Sequence, residues 1–172
     1  MFDFNLMHII AGLPGLLIAM VIHEYAHAQV AVWLGDFTPR LMGRLTLNPK
    51  AHVDPIGMLM LFLVHFGWAK PVMINPRNFK NPKRDDILVS LAGPAANFIT
   101  AFLALLALLI YNRMGGDMTA GVYLVFQMII EYNIGFGIFN LIPLPPLDGS
   151  HVLMQLLPRD MAYKLAGLER YS

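Results

Sequence analysis

Apolar residues run almost unbroken through 6–34, 87–111 and 119–141. A helix needs about 20 such residues to cross the hydrocarbon core, so the pattern predicts an all-α polytopic membrane protein with a three-helix core. The first stretch, at 29 residues, is longer than a crossing requires. It is expected to tilt, protrude or kink near Pro14, and Gly35-Asp36 marks its stop. Residues 37–53 are too polar to cross. Within them Arg44-Leu45-Thr46-Leu47 alternates polar and apolar side chains, which predicts a short strand closed by an Asn48-Pro49 turn. The apolar run Met58 to Ala69 is only about a dozen residues long, which suits a re-entrant or interfacial segment. Residues 70–86 are basic and turn-rich and are predicted to face water or headgroups. After the third stretch, Pro143, Pro145 and Pro146 break the helix, and a short amphipathic helix is expected over 150–157. No repeat, low-complexity tract or linker interrupts the chain, so 1–172 reads as one domain.

Composition supports the membrane reading. The chain is 57% hydrophobic and 13% charged, where soluble domains carry about 25% charged residues. A net charge of +1 excludes an electrostatically driven nucleic-acid binder. With no cysteine, any metal must be held by nitrogen and oxygen. No Lys or Arg precedes the first apolar run, and that run carries ionisable residues, so it is expected to be a retained helix and not a signal peptide.

Those ionisable residues are His23-Glu24-Tyr25-Ala26-His27. Four residues apart on a helix, His23 and His27 share a face and can hold one zinc ion, with the Glu24 carboxylate near enough to act as general base on an activated water. The competing reading is a pair of snorkelling or interhelically bonded histidines with an unrelated Glu. Burial in an apolar span weighs against it, because unpartnered ionisable groups there cost several kcal/mol. A catalytic zinc takes three protein ligands and keeps one open position. Candidates for the third are Asp148, Glu131, His52, Asp54, His65 and His151. Asp148 ranks first because the proline-rich break presents it on non-helical backbone; an N-cap or Asx turn with Gly149 is its other reading.

Charge and geometry test the doubtful segment 58–69 together. If it crosses, Lys70, Arg77, Lys80, Lys83, Arg84, Arg159, Lys164 and Arg170 face Arg40, Arg44, Lys50 and Arg113, eight against four. If it does not, eleven basic residues face Arg113 alone. The positive-inside rule selects the second arrangement, with the N-terminus outside and the histidines toward the cytoplasmic face of the cell membrane. Only that arrangement lets Asp148 meet His23 and His27.

Taken in order, HEYAH, GPAAN at 93–97 and NLIPLPPLDG at 140–149 resemble the site-2 protease family of intramembrane zinc metalloproteases. GRLTLNPKAHVDPIG and WAKPVMINPRNFKNPKRD are similar to its small prokaryotic branch, which lacks a PDZ domain. The resemblance implies zinc held by His23, His27 and Asp148, one per chain, and Glu24 as base. It further implies that Asn140, Asn97 and Gly93 support substrate or transition state, and that a peptide bond in a membrane-spanning substrate is cleaved. Relatives of this branch continue into another apolar helix, so the sequence reads as truncated. His52 and His151 are candidates to lie beside the metal and its ligands, although a loop hydrogen bond with Asp54 for His52 and a helix-capping or surface role for His151 are the plainer readings. A metal transporter or a non-catalytic metal-binding scaffold are the alternative functions. Transport needs ligands staged through the membrane, and a scaffold has no use for Glu24. Homo-oligomerisation stays open.

Single cysteines placed at Asn78 and Asp117 should label from opposite sides of the membrane with an impermeant thiol reagent. Labelling of both from one side would remove the three-span arrangement.

Overall fold

A computed structural model of the chain describes residues 6–57, 60 and 70–167. The predicted re-entrant segment, 58–69, lies almost wholly outside the described residues. Three helices are long and apolar enough to cross a membrane: α1 (Leu6–Trp33), α4 (Pro82–Arg113) and α5 (Ala120–Asn140). All three pack against one another. Two single-turn helices, α2 (Thr38–Leu41) and α3 (Pro49–His52), follow α1, and a 3-10 turn at Pro76–Asn78 precedes α4. Two short helices, α6 (Asp148–Leu156) and α7 (Arg159–Ala166), follow α5, with α6 packed on α4.

Helix ends follow local chemistry. α4 begins five residues before its apolar stretch because Asn81 caps it: the Asn81 side chain accepts from the Arg84 N–H, and Asp85 reaches back to accept from the Asn81 N–H at 3.0 Å. Pro82 fits the first helical position, where no donor is needed. Thr119 caps α5 through the Val122 N–H. The outward faces of α4 and α5 stay exposed, with Phe98, Ile99, Phe102, Leu109 and Ile138 among them. Such a surface suits lipid. The inner face is unusual in being polar: His23, His27, Asn97 and Asn133 are all buried there.

Among the described residues no strand forms, so the expected strand at 44–47 is corrected to a tight loop. Its backbone is closed on itself: the Arg44 N–H donates to Pro39 O at 2.8 Å, the Arg44 guanidinium to Ala51 O, and the Asn48 N–H to the Thr46 hydroxyl. These local bonds outcompete the weak propensity of four alternating residues. The amphipathic helix expected at 150–157 starts earlier, at Asp148.

The end of α1 and the start of α4 lie together: His27, six residues before Trp33, touches Val89, seven residues after Pro82. The connection between them therefore leaves and returns on one side. Asp36 anchors it. Fully buried, its carboxylate accepts from the Thr38 N–H (3.1 Å) and hydroxyl (2.6 Å), the Asn78 amide (2.7 Å) and the Asn75 N–H (2.7 Å). An apolar cluster of Ala31, Phe79 and Val89 backs this knot. Burial alone would raise the Asp36 carboxyl, but the hydrogen bonds from Thr38, Asn75 and Asn78 outweigh it and hold it below its ordinary range.

Asp36→Ala strands these donors and should lower stability by about 2–4 kcal/mol, read as thermal unfolding in detergent. A depressed carboxyl contributes above its unfolded value and loses that contribution as pH falls. The gap between wild type and variant should therefore be full above about pH 4 and shrink below it.

Candidate metal centre

His23 and His27 stand one turn apart on α1, and both rings face α4. The His27 Nδ1 lies 2.7 Å from the Val89 carbonyl oxygen, which can only accept, so Nδ1 carries the hydrogen. The His23 Nδ1 lies 2.7 Å from Asn97 Oδ1. Asn97 is oriented by its own amide nitrogen, which donates to Ala19 O at 2.9 Å and Asn133 Oδ1 at 3.0 Å. Its oxygen must then face the imidazole, and the His23 Nδ1 also carries its hydrogen. With both rings neutral, this tautomer leaves each Nε2 as a bare lone pair.

Those two Nε2 atoms are 2.9 Å apart. Asp148 Oδ2 sits 3.0 Å from the first and 3.3 Å from the second. This oxygen is buried and has no hydrogen-bond partner. Two lone pairs and an anion thus converge, an arrangement that repels itself unless a cation lies among them. Mutual distances near 3 Å suit an ion bonded at about 2.0–2.2 Å to each atom, and two imidazole nitrogens with one carboxylate oxygen is a catalytic zinc set. The group fits a zinc ion.

The proline-rich break delivers Asp148. It stands in the first turn of α6, whose start has no side-chain cap, so its carboxylate is turned to the histidines and not to its own helix. Gly149 permits this, since a Cβ there would collide with Leu141 O. Gly93 has a parallel role on α4: a Cβ would stand 2.5 Å from His27 Nε2 and 2.6 Å from His23 Cε1. The Phe136 ring packs edge-on to His23, centroids 4.9 Å apart. Glu24, half-buried, stays out of the three-residue group, and its Oε2 accepts from the Val72 N–H at 3.0 Å.

Matches with known proteins bear on this constellation. The profile of Peptidase family M50 matches residues 109–165. The "Putative zinc metalloprotease YwhC" of Bacillus subtilis is 41% identical over 161 residues, covering 91% of this chain and 74% of that protein. The chain belongs to peptidase family M50, the site-2 proteases. The Rip2 protein of Mycobacterium tuberculosis, named in the same terms, is 31% identical over 93% of this chain. The chain spans 62% of Rip2's length, just under two thirds. Zinc metalloprotease MJ0392 of Methanocaldococcus jannaschii is 24% identical over 86% of this chain and 34% of its own. No solved structure matches. This M50 member is a zinc metalloprotease, a hydrolase built into a membrane.

Of the residues singled out from sequence, the structure brings His23, His27, Asp148, Gly93 and Asn97 together. Asn140 is half-buried and bonds to Phe136 O of its own helix at 2.9 Å. His52 is buried in the connection, where its Nε2–H donates to Thr46 O at 2.8 Å; the loop bond expected with Asp54 goes elsewhere, to the Ile56 and Gly57 N–H groups. His151 is exposed. Glu131 takes a surface bond from Gln127 at 2.7 Å. Three contributors carried no sequence signal of their own: the Val89 carbonyl, the Val72 N–H and the Phe136 ring. Asn133 carried one, as a polar residue at membrane depth.

Gly93→Ala must push both imidazoles aside. Zinc retained after dialysis, by elemental analysis, should fall, with affinity about tenfold or more weaker, the scale seen when ligand supports are lost.

Proposed function

We propose that His23, His27 and Asp148 hold the zinc of this metalloprotease, that Glu24 is its general base, and that it cleaves a peptide bond in or near a membrane-spanning segment of a membrane-protein substrate. The observation that carries this reading is the convergence of two imidazole lone pairs and a carboxylate inside three apolar helices. His23 lies ten residues, about 15 Å, from the Trp33 end of α1, within reach of a substrate held in the bilayer. Bound zinc supplies Lewis acidity, which makes water nucleophilic at neutral pH and polarises a carbonyl. Glu24 takes the proton of the attacking water and returns it to the leaving amine. A helical substrate has its carbonyls bonded internally, so the segment to be cut must enter locally unwound.

The rest of the assignment follows from position. The basic residues of the connection and of α7 fit a cytoplasmic face of the cell membrane, with the N-terminus outside. The chain acts as one catalytic domain. Gly93 lies against both imidazoles, and Asn140, proposed to meet substrate, ends α5 just before the break that carries Asp148. Transport is disfavoured because the three donors gather at a single depth, with no second donor group among the described residues.

Glu24→Gln separates catalysis from binding. The amide keeps size but cannot accept the proton, so turnover of a membrane-protein substrate should drop about 10²–10⁴-fold while zinc content stays at wild-type level. Loss of zinc in this variant would make Glu24 a ligand, and full proteolysis would place the base elsewhere.

A further inference from the structure

We infer that Asn133 and Asn97 form a two-amide relay that positions His23, with Asn133 acting on the metal centre from α5 without touching it. Asn133 is fully buried, and its amide nitrogen donates to Ile129 O at 2.8 Å within its own helix. That bond turns Asn133 Oδ1 outward, where it accepts from Asn97 at 3.0 Å. The second hydrogen of the Asn97 amide goes to Ala19 O at 2.9 Å. Only Asn97 Oδ1 is then left for the His23 Nδ1–H, at 2.7 Å. Both ends of the relay are backbone carbonyls, which accept and never donate, so its polarity has one solution. A flipped Asn97 would set oxygen against two oxygens and an amide against the imidazole N–H, at fully buried positions.

The relay does two things for His23. It places the hydrogen on Nδ1, which leaves the Nε2 lone pair facing His27 and Asp148, and it fixes the ring plane from three helices at once. His27 has no comparable dependence on side chains, because its Nδ1–H is held by the Val89 backbone carbonyl. His23 is therefore the donor whose alignment depends on residues outside the group. This inference rests on His23 being a zinc ligand, as proposed above.

The test uses the full chain in detergent, with zinc affinity from chelator competition and the visible spectrum of the cobalt(II)-substituted protein as readouts. Asn97→Leu should weaken zinc about 10–100-fold, the scale for a ligand's direct partner. Asn133→Leu should weaken it by about threefold or more and shift the cobalt bands, yet add nothing in the Asn97→Leu background, since a broken relay cannot be broken twice. Asn133→Asp, whose neutral carboxyl reproduces both bonds, should stay near wild type. Asn133→Val serves if the leucine variant fails to fold. Wild-type affinity and cobalt spectrum in Asn133→Leu, or losses that simply add, would overturn the relay while leaving His23 as a ligand. Absence of zinc binding in the wild type would instead overturn the ligand assignment and the relay with it.

Discussion

A charged or polar group cannot be left without a partner inside an apolar bundle, and the interior of this protein is arranged around that constraint. Two imidazoles, two amides and a carboxylate occupy the space where the three long helices meet. Each imidazole Nδ1 faces an acceptor oxygen; the Val89 carbonyl is fixed by the backbone of its own helix, and the Asn97 oxygen by bonds from its amide to the two neighbouring helices. What remains unpartnered is the small set of lone pairs that face one another. The unsatisfied electrostatics is thereby concentrated at one point, where a dication resolves it.

The helix faces follow from the same division. Residues toward lipid are large and apolar, so they neither compete for the polar interior nor offer water a route to it. Small residues sit where backbone must approach the imidazoles or where Asp148 must be turned inward. The Asp36 knot plays the corresponding part at the aqueous end. It ties the long connection between α1 and α4 back onto α1, at residues 75 and 78, and so fixes the stretch whose Val72 N–H reaches Glu24.

Much of this was legible in the chain. The number of long helices, and their limits apart from the start of α4, came from apolar run length, which needs no tertiary information. His23, His27 and Glu24 were legible because helical spacing alone puts them on one turn. Asp148 required a topology as well, and counting basic residues on each side supplied it. The failures have a common physical origin. Arg44 to Leu47 alternates as a strand would, but side-chain and backbone bonds to Pro39 and Ala51 set its shape, and alternation cannot report them. α4 starts at Pro82 because of a capping exchange between Asn81 and Asp85, hidden in a stretch that looks like a charged loop. The Val89 carbonyl and Val72 N–H belong to the backbone, so no residue type could have pointed to them.

The route by which Asp148 arrives has a mechanical meaning. The two histidines lie early in the chain and the carboxylate late, with α4 and α5 between them. An ion shared by all three clasps distant parts of one polymer, and closing so long a loop removes far more freedom from the unfolded chain than linking neighbours would. If the ion binds the assembled group as proposed, and not its scattered parts, its free concentration would set how firmly α6 is held against α1 and α4. On the proposed ligand set the metal would also be a fastening of the fold, joining metal supply and folding in one equilibrium.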